Sequence, residues 1–220
     1  MAKRIRILLA DDHAVLREGM RNLLQKEGDL EVVGEAGDGE EAIRLAEELS
    51  PDVALMDIVM PKLNGIEATR RIKSTRPSTA VLILTAHEDE RYILGLLEAG
   101  AAGYLLKSSR AGELVGAIRA VSAGESVLLP AVTARLLARA ASSGEGFAGA
   151  RNGEQLTERE LEILRLAARG MGNKEIAKQL ALSVPTVKAH LVNIFNKMAV
   201  GSRTEAVLHA VRKGWVELEP

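Results

Sequence analysis

The chain has 220 residues, 47% of them hydrophobic and only 2% aromatic, a formal net charge of −1 and no cysteine. That length suits one large domain or two small ones with aliphatic cores, and the missing thiols exclude disulfides and cysteine-ligated metals. No signal peptide or membrane span is evident, so a soluble cytoplasmic protein is expected. The near-zero charge hides an asymmetry: residues 1–126 carry 16 Lys and Arg against 21 Asp and Glu, whereas residues 155–220 carry 10 against 7. An acidic head and a mildly basic tail fit nucleic-acid contact through the tail, although charge alone is equally compatible with chance variation.

In chain order, short apolar runs predict strands near 4–10, 31–36, 52–57, 80–85 and 102–106. Helical spacing predicts helices near 14–27, 38–49, 64–75, 89–99 and 110–122. Alternating strands and helices imply a doubly wound α/β fold with a five-stranded parallel sheet covered on both faces. A further helix is predicted over 128–140, followed by the Gly- and Ser-rich stretch SSGEGFAGARNGEQ, which reads as a flexible linker. The expected division is therefore 1–126, a connecting helix and linker over 127–154, and 155–220.

From Leu156 the pattern is helical only. Thr157 and Glu160 form a capping-box signature for a helix to about Arg169, ended by Gly170. NKEIAKQLA is a second helix, and TVKAHLVNIFNKM a third with Ser183 as N-cap and Pro185 tolerable in the first turn. A last helix runs from about Arg203 to Lys213 and stops at Gly214, giving an all-α unit of four helices.

Four polar interruptions close apolar strands in the first half: Asp11-Asp12, Asp57, Thr85 and Lys107. In an open parallel sheet these strand ends share one edge, where sites of such folds lie. Taken singly, Asp-Asp after a strand is ordinary turn chemistry, and a lone Thr or Lys means little. Together they point to a phosphoryl and Mg²⁺ site. Asp57 is the candidate nucleophile and phosphoacceptor, Asp11 and Asp12 are hard oxygen ligands for Mg²⁺, and Lys107 and Thr85 supply charge and a hydroxyl donor. Met60-Pro61 and Gly65 would shape the loop beyond the acceptor. Val59 is apolar and cannot position an attacking water, so slow loss of the phosphoryl group is expected.

In the tail, the turn ALSVP between the second and third helices reads as a helix-turn-helix. Val187, Leu191, Ile194 and Met198 recur at buried spacing, leaving Lys188, Ala189, Val192, Asn193 and Asn196 on the opposite face as candidates for reading bases, although by charge alone this face is equally compatible with an ordinary solvated helix. Lys174, Thr186 and Lys197 are candidates for holding phosphates.

These motifs carry a resemblance. DD at 11–12, DIVMPKLNG at 57–65, LTA at 84–86 and GYLLKS at 103–108 resemble the receiver domain of bacterial two-component response regulators. LTERELEIL, NKEIAKQL, LSVPTVKAHL and, more loosely, NKMAVGSRTEAV resemble the LuxR-type DNA-binding domain. The pairing is similar to the NarL/FixJ class and covers nearly the whole chain apart from the linker. The resemblance implies a flavodoxin-like strand order 2-1-3-4-5 and a sensor histidine kinase that phosphorylates Asp57. It also implies Mg²⁺ held by Asp12, Asp57 and the Val59 carbonyl with Asp11 in support, and Thr85 and Tyr104 as a switch pair. Base-reading positions fall on Lys188, Ala189 and Val192, and Val192 departs from the basic or polar residue often found there. Ser108 stands where the family often has Pro. The implied protein is a transcription regulator that dimerises on phosphorylation through a homodimer contact involving its last helix and binds paired promoter half-sites. It is not an enzyme beyond its part in its own Mg²⁺-dependent phosphotransfer and dephosphorylation.

Two other functions compete for the same residues. A flavin protein or aspartate-nucleophile phosphatase on the same scaffold lacks support, because no Gly-rich phosphate loop follows the first strand and no second acid lies two residues beyond Asp57. A receiver that only dimerises, without phosphorylation, leaves the complete acidic set unexplained.

Overall fold

The computed structural model describes residues 4–86, 95–96, 99–127, 156–198 and 200–216. The predicted helices over 89–99 and 128–140 and the linker that follows lie largely or wholly outside them. The first unit contains β1 (Ile5–Ala10), α1 (Ala14–Leu24), β2 (Leu30–Ala36), α2 (Gly39–Leu49), β3 (Val53–Asp57), α3 (Gly65–Thr75), β4 (Ala80–Thr85), β5 (Gly103–Leu106) and α4 (Ala111–Ser122). All strand pairs are parallel and the order is β2-β1-β3-β4-β5. The predicted doubly wound architecture is thus the observed one, with element ends shifted by up to three residues.

The apolar runs are continuous because both sheet faces are covered. Successive strand residues point to opposite faces, so Leu8, Ala54, Met56 and Ile83 enter one core with Ala46 of α2 and Ile72 of α3. Ile7, Leu9, Leu55 and Leu82 enter the other with Leu24 of α1 and Ile118 of α4. Two helices on the first side begin at side-chain caps: Asp38 accepts from the Glu41 N–H at 2.8 Å and Asn64 from the Glu67 N–H at 2.9 Å. Beyond α4 the chain returns along the β5 edge, where the Tyr104 N–H donates to the Val127 carbonyl at 3.0 Å and the Val127 N–H to Ala102 at 3.1 Å.

The second unit has four described helices, α5 (Glu158–Ala168), α6 (Asn173–Gln179), α7 (Val184–Met198) and α8 (Arg203–Arg212). Its core joins Ile163, Leu164, Ile176, Val187, Leu191, Ile194 and Ala206. The capping box at Thr157 is formed, with the Thr157 N–H on Glu160 at 2.8 Å and the Glu160 N–H on the Thr157 hydroxyl at 3.3 Å. Ser183 accepts from the Thr186 N–H at 3.2 Å, as its N-cap role requires, although α7 is assigned from Val184 with Pro185 in its first turn. Gly170 and Gly214 end α5 and α8 at φ of 78° and 69°, conformations that cost other residues strain.

Candidate functional site

Parallel register builds the acidic edge. Ala10, Met56, Ile83 and Tyr104 pair in one row across β1, β3, β4 and β5, so Asp11 and Asp57 follow side by side one residue later. Thr85 ends β4 and Lys107 follows β5, and the Lys107 N–H donates to the Thr85 carbonyl at 2.7 Å. The four predicted strand-end positions therefore converge.

Lys107 Nζ stands 2.7 Å from Asp57 Oδ2 and 2.7 Å from Asp11 Oδ2. Both carboxylates are buried, with Asp57 5% and Asp11 1% exposed. Burial opposes the charge on Lys107, but the two carboxylates outweigh it and raise its pKa, so the ammonium is held firmly protonated. Asp11 Oδ2 has ion-pair proximity to Lys107 without hydrogen-bond alignment, so a buried carboxylate oxygen is left with no hydrogen bond. Asp12 faces solvent, and His13, which the sequence reading passed over, sits with Nδ1 2.7 Å from Asp12 Oδ1. One ligand atom from each of Asp11, Asp12, His13 and Asp57 falls within 4.8 Å of the others. The carboxylate oxygens of Asp11, Asp12 and Asp57, with one buried Asp11 oxygen lacking a hydrogen bond, are hard donors that fit Mg²⁺. The adjacency of His13 to Asp11-Asp12 was the signal available for it.

The β3–α3 loop is shaped around Asp57. A Cβ on Gly65 would lie 1.9 Å from the Asp57 carbonyl oxygen, and the Gly65 N–H donates to the Ile58 carbonyl at 2.9 Å, so only glycine permits this approach. Val59 is 67% exposed beside the pocket while Ile58 and Met60 are buried. Thr85 is buried. Tyr104 is 8% exposed and part of the core that contains Ile83, Leu96 and Ala101, because the returning chain at Val127 covers the β5 edge. All described peptide bonds, Lys107–Ser108 included, are trans.

In the helical unit Val187, Leu191, Ile194 and Met198 are buried as their spacing required. Lys188, Ala189 and Asn193 are exposed, Val192 and Thr186 partly so, and Lys174 is exposed on α6. Lys197 is not projected toward solvent, because its Nζ lies 2.9 Å from Glu160 Oε2. Burial raises the Glu160 pKa, and the hydrogen bonds from Thr157 and Lys197 outweigh that and hold it below the ordinary value. The sequence separation of 37 between these partners hid the pairing from sequence reading. Lys188 is also engaged: its Nζ donates to the Ser122 carbonyl at the end of α4. Lys188 and Val192 line a cavity of about 250 Å³ together with Ser122, Gly124 and Glu125 of the first unit.

Comparison with known proteins agrees with both halves of this geometry. Residues 7–119 match the response regulator receiver domain family, and residues 154–210 match the bacterial regulatory proteins of the luxR family. The transcriptional regulatory protein LiaR of Bacillus subtilis is 47% identical over 208 residues, covering 94% of this chain and 97% of LiaR. The response regulator VraR of Staphylococcus aureus is 40% identical, covering 97% of this chain and 99% of VraR. Among solved structures, the response regulator ChrA of a heme-sensing two-component system is 37% identical with a TM-score of 0.52, over 97% of this chain and 100% of that one. RcsB, solved as two dimers bound to two parallel DNAs, is 26% identical with a TM-score of 0.55, over 96% of this chain and 99% of that one. Among the described residues no helix is long and apolar enough to cross a membrane.

Proposed function

The chain belongs to the transcriptional response regulators that join a receiver domain to a LuxR-type DNA-binding domain, and on that premise we propose that Asp57 accepts a phosphoryl group from a sensor histidine kinase in the cytoplasm. The observation that carries the reading is the Asp57–Lys107–Asp11 arrangement at one sheet edge, with Asp57 at the C-terminal end of β3. An Asp57 carboxylate oxygen attacks phosphorus as the phosphohistidine N–P bond breaks, and the leaving imidazole keeps the electron pair and takes up a proton. The chain contributes position and charge: β3 fixes the carboxylate, Lys107 neutralises phosphoryl oxygen, and Thr85 offers its hydroxyl to the product. Asp11, Asp12, Asp57 and the Val59 carbonyl would hold Mg²⁺, which when bound offsets the repulsion between the carboxylates and the incoming phosphoryl group.

On this reading residues 1–126 form the phosphoacceptor domain, 127–154 the connection and 155–220 the DNA-binding domain. Added phosphoryl charge draws Thr85 inward and biases the packing around Tyr104, the switch pair. The phosphorylated protein dimerises, with α8 contributing to the contact, and binds paired promoter half-sites. Lys188, Ala189, Val192 and Asn193 of α7 face the base edges, Lys174 and Thr186 hold phosphates, and Lys197 reaches the backbone once it leaves Glu160.

Sedimentation velocity with Mg²⁺, with and without beryllofluoride, tests this against an Asp57→Ala control. A monomer-to-dimer shift that needs both the anion and Asp57 is expected. A shift that persists in Asp57→Ala, or acid-labile labelling by acetyl phosphate at another residue, would sink the assignment of Asp57.

A further inference from the structure

The β3–α3 loop, anchored at Gly65, is seated a second time on the start of α2. A Cβ on Gly39 would lie 2.3 Å from the Leu63 carbonyl oxygen and 3.0 Å from the Leu63 Cβ, closer than a side chain permits. Gly39 has no left-handed φ, so the approach of Leu63 and not its own backbone requires the glycine. One residue earlier, Asp38 divides its carboxylate between two tasks. Oδ1 accepts from the Glu41 N–H at 2.8 Å and caps α2, while Oδ2 accepts from Lys62 Nζ at 2.5 Å. Glu41 in turn accepts from the Gly37 N–H at 2.9 Å, which fixes the turn that carries Asp38.

At this point the loop holds a conformation that it would not keep by itself. Lys62 has a φ of 62°, and the Leu63 N–H donates to the Pro61 carbonyl at 2.7 Å. Lys62 is therefore the centre of a three-residue turn with the positive φ of the strained γ form. A residue with a Cβ persists there only where its surroundings fix it. Asp38, its side chain only 11% exposed, is the fixed partner, and the exposed Lys62 reaches to it. Each holds the other charged: Lys62 lowers the Asp38 pKa and Asp38 raises that of Lys62. Leu63 packs against the core that contains Ala42 of α2 and Ala68 of α3. An exposed ion pair alone would mean little. Here it coincides with a backbone approach that excludes every side chain and with a strained turn between the two.

We propose that Asp38, Gly39 and Lys62 are positioning residues of the phosphoryl site: the start of α2 holds the middle of the β3–α3 loop and so sets the direction of the Val59 carbonyl. The proposal rests on the reading of Asp57 and the Val59 carbonyl as Mg²⁺ ligands. Val59 lies three residues before Lys62, and its exposed side chain packs on nothing that could orient its peptide. The backbone on either side is tied instead, to Asp57 and Ile58 through Gly65 and to α2 through Lys62 and Leu63. A carbonyl held in place before the ion arrives spares the ordering cost that a freely turning loop would meet on binding. The three residues act through the loop and are not themselves ligands.

Isothermal titration calorimetry of the full chain with Mg²⁺ alone tests the proposal, with Asp57→Ala as the control for the site. Lys62→Met keeps the stem and removes the ion pair, and Asp38→Asn keeps an acceptor for the Glu41 N–H while removing the charge. Both should weaken Mg²⁺ binding about tenfold, the lower end for residues that orient a metal ligand from outside its coordination shell. The sign separates positioning from simple charge, because loss of a nearby cation alone would tighten Mg²⁺ binding whereas loss of an anion alone would weaken it. The double variant should bind no more weakly than either single one, since both break the same link. Lys62→Arg should recover most of the parental affinity. Gly39→Ala, which displaces Leu63, should weaken binding about tenfold or more, and Lys62→Met covers the case in which it misfolds. Mg²⁺ affinity in Lys62→Met equal to or tighter than that of the parent, with Asp57→Ala still abolishing binding, would overturn the positioning role alone. Binding that survives Asp57→Ala unchanged would reject the metal site itself and the positioning role with it.

Discussion

Replacing Lys107 by Met keeps the aliphatic stem and removes the single ammonium that lies 2.7 Å from both Asp11 and Asp57. The side chains of these carboxylates are 1% and 6% exposed, so water cannot take over the role of the cation. Breaking a buried ion pair from one side costs roughly 3–5 kcal/mol, because the partner charge stays buried without compensation. Lys107 itself is 16% exposed, which places the expected loss at the lower end, about 3 kcal/mol. Amide hydrogen exchange of β1 and β3, whose slowest protons report opening of the sheet, is the suitable readout because it isolates the receiver from the helical unit. At about 1.4 kcal/mol per factor of ten, exchange in EDTA should accelerate about 150-fold. Saturating Mg²⁺ should recover most of that protection, since it neutralises the same carboxylates and binds only the folded pocket. Exchange within about threefold of the parent in EDTA would refute the reasoning, because the carboxylates would then need no cation.

Four further outcomes are expected. Gly65→Ala drives a Cβ to 1.9 Å from the Asp57 carbonyl oxygen, so the β3–α3 loop must shift, and acetyl phosphate labelling of Asp57 should fall by about tenfold or more with the helix content unchanged. Val59→Asn places an amide beside the acceptor where an exposed valine stood, and loss of the phosphoryl group should quicken by about tenfold; an unchanged rate would reject a water-positioning role for that residue. Thr157→Ala removes the hydroxyl that accepts from the Glu160 N–H and should cost about 1 kcal/mol in a urea melt followed by Trp215, the sole tryptophan. Glu205 is pushed up to about 7 by burial, partly offset by the Gly201 N–H and by Lys73. Its contribution to the stability of this structure is therefore complete below about 4.5 and lost as pH rises through about 7. Lys73, pulled down to about 8 by burial, acts with the opposite sign and only between there and about 10.5. Between pH 4.5 and 7 the pH dependence of the urea midpoint should accordingly flatten in Glu205→Gln.

The parts of this protein legible in the sequence are those governed by local rules. Runs such as RIRILLA and DVALM ended at acids, and once a parallel sheet was inferred, chain direction alone placed Asp11, Asp57, Thr85 and Lys107 on one edge. The helices of the DNA-binding unit were bounded to within about two residues because Thr157, Ser183, Gly170 and Gly214 are local capping signals. The buried spacing of Val187, Leu191, Ile194 and Met198 likewise needs only the helical period.

Tertiary structure decided what depends on partners far apart in the chain. Lys197 is read from sequence as a candidate for holding phosphate, and only the fold shows the buried Glu160 paired with it. The sequence names Tyr104 only as one of a switch pair; that it lies inside the core follows from the returning chain at Val127, which covers the β5 edge. Lys188 was rightly read as lying on the face away from the helical core, yet that face is turned toward Ser122. Gly201 carried no signal, because a glycine required by close approach of another backbone has no local conformation to betray it; Gly100, which it meets, lies 101 residues earlier in the chain. Period, caps and strand ends are short-range properties written into adjacent residues, whereas docking is a property of two surfaces and exists only once both have folded.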